Sequence, residues 1–162
     1  MPPAKPAPPA TELTDAELSA WRGFLRLHAA LVKGLDAELD AVHDLSLSSY
    51  EVLMTLREAG GRLRMAELAD RALLSRSGMT RLVDRLARQG LLERTQCDSD
   101  ARGCFATLTP EGEATLAAAR PTHLAGVRER FLRHLDDEDL GTLAEIWERL
   151  LPGAAEDLTR PD

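Results

Sequence analysis

The sequence predicts a mainly α fold: a winged helix-turn-helix with a small β-hairpin wing, set between long N- and C-terminal helices. Three observations carry that expectation. Two short amphipathic segments, Met65 to Leu73 and Ser75 to Leu86, meet at a tight junction at Leu74-Ser75. Leu91 to Cys97 and Cys104 to Leu108 read as two short strands around a polar tip, Asp98-Ser99-Asp100-Ala101-Arg102-Gly103, with Cys104, Ala106 and Leu108 alternating on one face. At both ends of the chain, apolar residues recur at helical steps of three and four over long stretches.

Residues 1–12 are expected to be a disordered tail, since five of the first ten are Pro, and no apolar core of a signal peptide is visible there. With two cysteines and no secretory signal, the expected setting is a reducing cytoplasm. Thr14-Asp15-Ala16-Glu17 has the pattern of a capping box, in which hydroxyl and carboxylate each satisfy a backbone amide at a helix start. The helix it opens should run to about His43, and residues 13–45 form a first dimerisation helix. Leu18, Trp21, Leu25, His28, Val32, Leu35, Leu39 and Val42 follow a heptad seam, interrupted only by the histidine. At roughly 1.5 Å per residue such a helix is about 40 Å long, more than a small domain needs for itself.

Residues 46–109 form the winged helix-turn-helix. Ser48-Ser49-Tyr50-Glu51 reads as a second capping box, opening a short helix through Val52, Leu53 and Leu56 that Gly60-Gly61 ends. Arg62-Leu63-Arg64 is a candidate strand that pairs with the wing. Leu68, Ala69 and Leu73 make the inner face of the first helix of the motif. Ser75 can cap the second, and Met79, Leu82, Val83 and Leu86 form its buried stripe. Gly90 closes it, because glycine tolerates the left-handed conformation beyond a helix end.

Residues 110–152 form C-terminal dimerisation helices. Thr109-Pro110 is a helix start, with Thr as cap and Pro in the first turn. The helix runs through Leu116, Leu124, Val127 and Phe131, and Pro121 within it should kink it near Ala117 to Arg120. Asp136 caps a last helix with Leu140, Leu143, Trp147 and Leu150 on one seam, stopped by Pro152-Gly153, and residues 153–162 form a loose tail.

Charge points to function. The chain has a formal net charge of −7, yet Arg71 to Arg94 holds six arginines against Asp84 and Glu93, a net of +4 that leaves −11 for the rest. A local basic module on an acidic body suits a sequence reader better than a general nucleic-acid coat. The second helix of the motif carries Arg76, Ser77, Thr80 and Arg81 opposite its apolar stripe, with Arg85 flanking. Guanidinium groups can bond two guanine acceptors in the major groove, and hydroxyls reach phosphates or base edges. Arg85 and Arg94 are expected to grip phosphates, and Ser75 to touch one beside its capping role. An ordinary solvated helix face is the alternative for such a segment taken alone.

Other chemistries find little support. The histidines at 28, 43, 123 and 134 form no metal-ligand spacing, and Cys97 and Cys104 are not spaced as a zinc knuckle, so no metal or cofactor is expected. There is no nucleophile elbow, phosphate-cradling glycine loop or supported carboxylate pair, so no catalytic residues and no enzyme activity are expected. Cys97 and Cys104 flank the wing tip. An oxidised pair would make a redox switch, whereas a small inward-facing residue at 104 is the plainer reading.

The run Leu-Ser-Arg-Ser-Gly-Met-Thr-Arg-Leu-Val-Asp-Arg-Leu from Leu74, then Gly90-Leu91-Leu92-Glu93-Arg94, then Asp100-Ala101-Arg102-Gly103 and Leu108-Thr109-Pro110-Glu111-Gly112, resembles the MarR family of bacterial transcription regulators. The likeness runs from about Trp21 to Leu151 and is most specific between Leu63 and Gly112. It implies a homodimer whose outer helices interlock and whose second motif helix reads the major groove of double-stranded DNA. It also implies that Arg102, held by Asp100, enters the minor groove. Ala101 departs from the commoner Arg there, so a weaker wing contact is expected. A dimer would set two reading helices about one DNA turn apart, roughly 34 Å. The resemblance further implies a pocket for a small aromatic or lipophilic ligand between the first helix and the DNA module, for which Trp21, His28 and Tyr50 are the candidates. The family's peroxide sensors keep a cysteine in the first helix, and this chain has none there. The alternatives are a redox-switched repressor through Cys97 and Cys104, or a protein-binding winged-helix adaptor, which would be expected to carry apolar anchors on its outer face.

Overall fold

Helix α1 (Asp15–His43) starts where the sequence places it: the Thr14 hydroxyl accepts the Glu17 N–H and the Glu17 carboxylate accepts the Thr14 N–H, 2.8 Å away. The Thr14 N–H and the Thr14 hydroxyl both donate to that carboxylate, which stabilises its charged form and holds the Glu17 pKa below its usual value. The computed structural model describes residues 12–71, 76–95 and 104–153 of the chain.

Helix α2 (Leu47–Glu58) corrects the second expected cap. Its N-cap is Ser46, not Ser48: the Ser46 hydroxyl accepts the Ser49 N–H, and Asp36 of α1 takes the Leu47 N–H at 2.8 Å. The tertiary neighbour thus supplies an acceptor that the local pattern lacks, and the helix begins earlier. Beyond α2 come β1 (Arg62–Arg64), α3 (Met65–Arg71), α4 (Arg76–Arg88), β2 (Leu92–Thr95), β3 (Phe105–Leu108), α5 (Pro110–Arg130) and α6 (Asp137–Leu150), with a 3-10 turn at Leu132–His134. The three strands form one antiparallel sheet in the order β1-β3-β2, pairing Leu63 with Ala106 and Leu92 with Leu108.

Gly90 follows α4 at φ +76°, a left-handed conformation that frees the chain to turn into β2. The Thr109 hydroxyl both accepts the Gly112 N–H, capping α5, and donates to the Gly90 carbonyl at 2.7 Å. Gly112 packs so tightly on the wing that an added Cβ would run into the Leu91 carbonyl. Helix α5 runs from Pro110 to Arg130 with Pro121 inside it. Asp136 and Asp139 form the capping box that opens α6.

The core gathers Leu53, Leu56, Leu68, Met79, Val83, Leu86, Leu92 and Leu116 between α2, α3, α4, the sheet and α5, all fully or almost fully buried. Burying each large side chain of this kind contributes roughly 1.5–3 kcal/mol relative to exposure. Helix α5 crosses α1, and Arg130 pairs with Glu38 at 2.7 Å while His43 Nε2 meets the Thr122 hydroxyl at 2.8 Å. The seam of α1 behaves differently along its length. Only Leu35 and Leu39 enter the chain's own core, while Trp21, Leu25, Val32 and Val42 stay exposed. Helix α6 has no buried residue at all, and Leu150 is 72% exposed. Among the described residues, no helix is long and apolar enough to cross a membrane.

Candidate nucleic-acid interface

Helix α4 divides into two faces. Met79, Leu82, Val83 and Leu86 are buried, as their spacing predicts, and fix the helix against α3 and β2. Ser77 and Arg81 stand exposed on the other side, and Thr80 is half-buried. Arg76 opens the helix. Its side chain, like Ser75, Asp100, Arg102 and Cys97, lies outside the described residues. The α3–α4 junction and the wing tip fall there too.

The two flanking arginines have partners within the chain. Arg85 is exposed, but its guanidinium donates to the Ser49 hydroxyl at 3.1 Å and to that of Ser46 at 3.4 Å, tying the outer side of α4 to the start of α2. Arg94, expected as a phosphate grip, also has a partner within the chain. It points back to α4 and donates to Asp84 at 2.8 Å, with its side chain only 29% exposed. The hydrogen bond to Asp84, reinforced by contact with Cys104, holds Arg94 still more firmly in its charged form. Opposite charges ten residues apart meet once β2 packs on α4, so Arg94 acts as a strut for the wing. Cys104 carries a free thiol beside it.

Sequence reasoning missed the outward side of the sheet. Arg62 and Arg64 are both exposed there and both lie over the ring of Phe105. The signal was available: two arginines flanking one leucine in a strand must share the face opposite that leucine.

The three expected ligand residues do not share one cavity. Tyr50 stacks on His123 with ring centres 4.4 Å apart, in a cleft of about 350 Å³ that Glu51, Met54, Arg71 and Arg120 also line. Among the described residues, Tyr50 Oη and His123 Nδ1 are buried without a hydrogen-bond partner. Burial raises the Tyr50 and Glu51 pKa values and lowers that of His123, because it penalises each charged form. Trp21 lines a separate cleft of about 720 Å³ between α1 and α6, with Phe24, Leu143, Ile146, Trp147 and Leu150. His28 lies between the two, stacked on Phe24 and within electrostatic reach of Glu51. The reason is length: Trp21 sits two helical turns before His28, roughly 10 Å further from α2.

This arrangement has counterparts. A family model described as the MarR family matches residues 43–103. The HTH-type transcriptional repressor YetL of Bacillus subtilis is 34% identical over 110 residues, which span 65% of this chain and 66%, just under two thirds, of that protein. Among solved structures, AbsC, a MarR family transcriptional regulator from Streptomyces coelicolor, matches with a TM-score of 0.79 at 35% identity, over 87% of this chain and 95% of that one. Sco3205, a MarR family transcriptional regulator from the same organism, solved in complex with DNA, matches with a TM-score of 0.77 at 33% identity, over 90% and 95% of the two chains.

Proposed function

The chain belongs to the MarR family of transcriptional regulators, and on that premise we propose that it is a cytoplasmic homodimeric repressor that binds a pseudo-palindromic DNA operator and is released by a small aromatic or lipophilic ligand. The observation that carries the reading is the division of α4: an apolar stripe locked into the core and an exposed side bearing Ser77 and Arg81. A face of this chemistry, held rigidly, is suited to base edges and phosphates, whereas a protein-binding adaptor needs apolar anchors there. Arg76, Ser77, Thr80 and Arg81 are assigned to the major groove, Ser75 and Arg85 to phosphates, and Arg102 with Asp100 to the minor groove. Arg94 supports the wing through Asp84.

Homodimerisation accounts for the apolar surface that one chain leaves open. Trp21 is 53% exposed, and the cleft it shares with α6 is lined almost wholly by apolar side chains. Covering that surface with a second copy removes it from water and sets two α4 helices at a fixed separation. A ligand that favours one separation over another shifts the population toward it. The Tyr50–His123 cleft, at the junction of α2 and α5, is where a bound molecule would bias that geometry, with Trp21 and His28 on the adjoining faces.

The test begins with selection of bound duplexes from a random pool. A two-fold-related consensus is expected. Arg102→Ala should then weaken binding to the selected duplex by about 1–3 kcal/mol in a gel shift at constant salt. Failure to enrich any sequence, with folded protein, refutes the reading. Phenolic compounds should raise the melting temperature and lower operator affinity together.

A further inference from the structure

The outward side of the small sheet carries positive charge that the reading helix does not use. Arg62 and Arg64 are exposed on β1, while Leu63 between them is buried. In an extended strand their Cα atoms are roughly 6.6 Å apart. β1 pairs with β3 in the register Arg64 to Phe105 and Arg62 to Thr107, so Phe105 belongs to the same outward side. The Arg62 guanidinium lies 4.0 Å from the Phe105 ring centre and that of Arg64 5.7 Å. The negative ring face attracts both cations, and one aromatic side chain braces two long flexible ones. That bracing reduces the ordering cost when the guanidinium groups meet a partner.

Charge and position select that partner. Among the described residues, the nearest outward acid on the sheet is Glu93, which faces Thr107 on β3 and so stands two strands from Arg62, roughly 10 Å away. A second acid beside the pair, Glu67, is engaged with the backbone, accepting the Arg64 N–H at 3.1 Å. The remaining outward residues of the sheet rows are Thr95 and Thr107, short hydroxyls without apolar bulk. Cations with small hydroxyls match phosphate oxygens, and among the described residues the side lacks the bare aromatic or aliphatic anchor of a protein interface. The Arg64 row is also the end of the sheet nearest the wing tip, where the Met65 N–H donates to the Cys104 carbonyl at 2.8 Å.

We propose that Arg62 and Arg64, braced on Phe105, form a second DNA-backbone contact, in which the outer side of the wing grips phosphates of the duplex flanking the segment read by α4. The proposal rests on the DNA-binding reading above and extends the footprint outward from it. It adds affinity without sequence information, since phosphates are common to all sequences.

Salt dependence tests it. Freeing one phosphate from its cation should lower the slope of log affinity against log salt by about 0.9. The full-length protein is titrated with a selected duplex by fluorescence anisotropy, from 50 to 200 mM salt, in two lengths: one ending at the wing and one carrying flanking base pairs. The Arg62→Gln, Arg64→Gln double variant should reduce the slope by about 1.8 on the long duplex. At the low-salt end this costs roughly tenfold more affinity than at the high-salt end. On the short duplex the two proteins should agree. The ratio of specific to non-specific affinity should be unchanged, and the Arg62→Lys, Arg64→Lys variant should keep most of the slope. An unchanged slope on the long duplex overturns the proposal, as does an equal loss at every salt concentration, the mark of a misfolded wing. Wild-type protein that binds no duplex, by contrast, sinks the DNA-binding reading itself.

Discussion

Two substitutions on α4 should have opposite consequences. Leu86 is fully buried beneath the helix. Leu86→Ala removes its packing and leaves a cavity, at about 3 kcal/mol within the usual range of roughly 2–5. For a domain of this size each kcal/mol lowers the melting temperature by roughly 2–4 °C, so a fall of about 6–12 °C is expected. Against a total stability of about 5–15 kcal/mol, most molecules stay folded at 25 °C and operator affinity should change little. Arg81 is exposed on the opposite side. Arg81→Ala costs little helix propensity and should leave the melting temperature within about 2 °C. Without one bidentate base contact, operator binding should weaken by about 1–3 kcal/mol, roughly 5- to 150-fold in Kd. The assays are circular-dichroism melts at fixed protein concentration, since dimerisation links melting to concentration, and anisotropy titrations at fixed salt. If Arg81→Ala binds with unchanged affinity and specificity, or Leu86→Ala melts like wild type, the division of labour between the two faces is wrong.

Three further outcomes follow from the side chains around α2, α5 and α6. Tyr50→Phe keeps the stack on His123 and removes a buried hydroxyl that has no partner among the described residues, so stability should hold or rise by up to about 1 kcal/mol. A clear drop in melting temperature would mean that the hydroxyl is bonded after all. Burial depresses the His123 pKa below its ordinary 6.5, so the unfolded chain binds more protons. This contribution to stability is therefore complete above about pH 6.5 and declines as pH falls below it. Glu51, whose pKa is raised by burial, acts in the opposite sense, favouring the fold below its folded value. His123→Phe should therefore flatten the loss of stability as pH falls below about 6.5 in urea titrations, and an unaltered profile would exclude His123 as its source. Leu150→Asp places a charge on a side chain 72% exposed in the single chain, so the fold should survive while sedimentation velocity shows monomers. A persistent dimer at micromolar concentration would exclude α6 from the interface.

Most helices were legible because their signals are local. Thr14 with Glu17, Thr109 with Pro110 and Asp136 each mark a start within one turn, and the stripe from Met79 to Leu86 repeats at the helical period. The same local rule misplaced the start of α2, where Asp36 of α1, eleven residues away from Leu47, supplies an acceptor. The basic side of α4 was readable as a face. The employment of Arg94 was not, because its Asp84 partner becomes a neighbour only after β2 folds onto the helix.

By itself, then, the sequence determined where elements begin, which side of each is apolar and which segment concentrates positive charge. These properties depend on residues three or four apart, whose geometry the backbone sets before any packing occurs. Only the tertiary structure decided which arginines are committed to partners, that Tyr50 and His123 meet across 73 residues of chain, that Trp21 belongs to a different cleft, and that Phe105 gathers Arg62 and Arg64. Such contacts join distant segments, and their existence depends on how helices and strands cross, which no local spacing encodes.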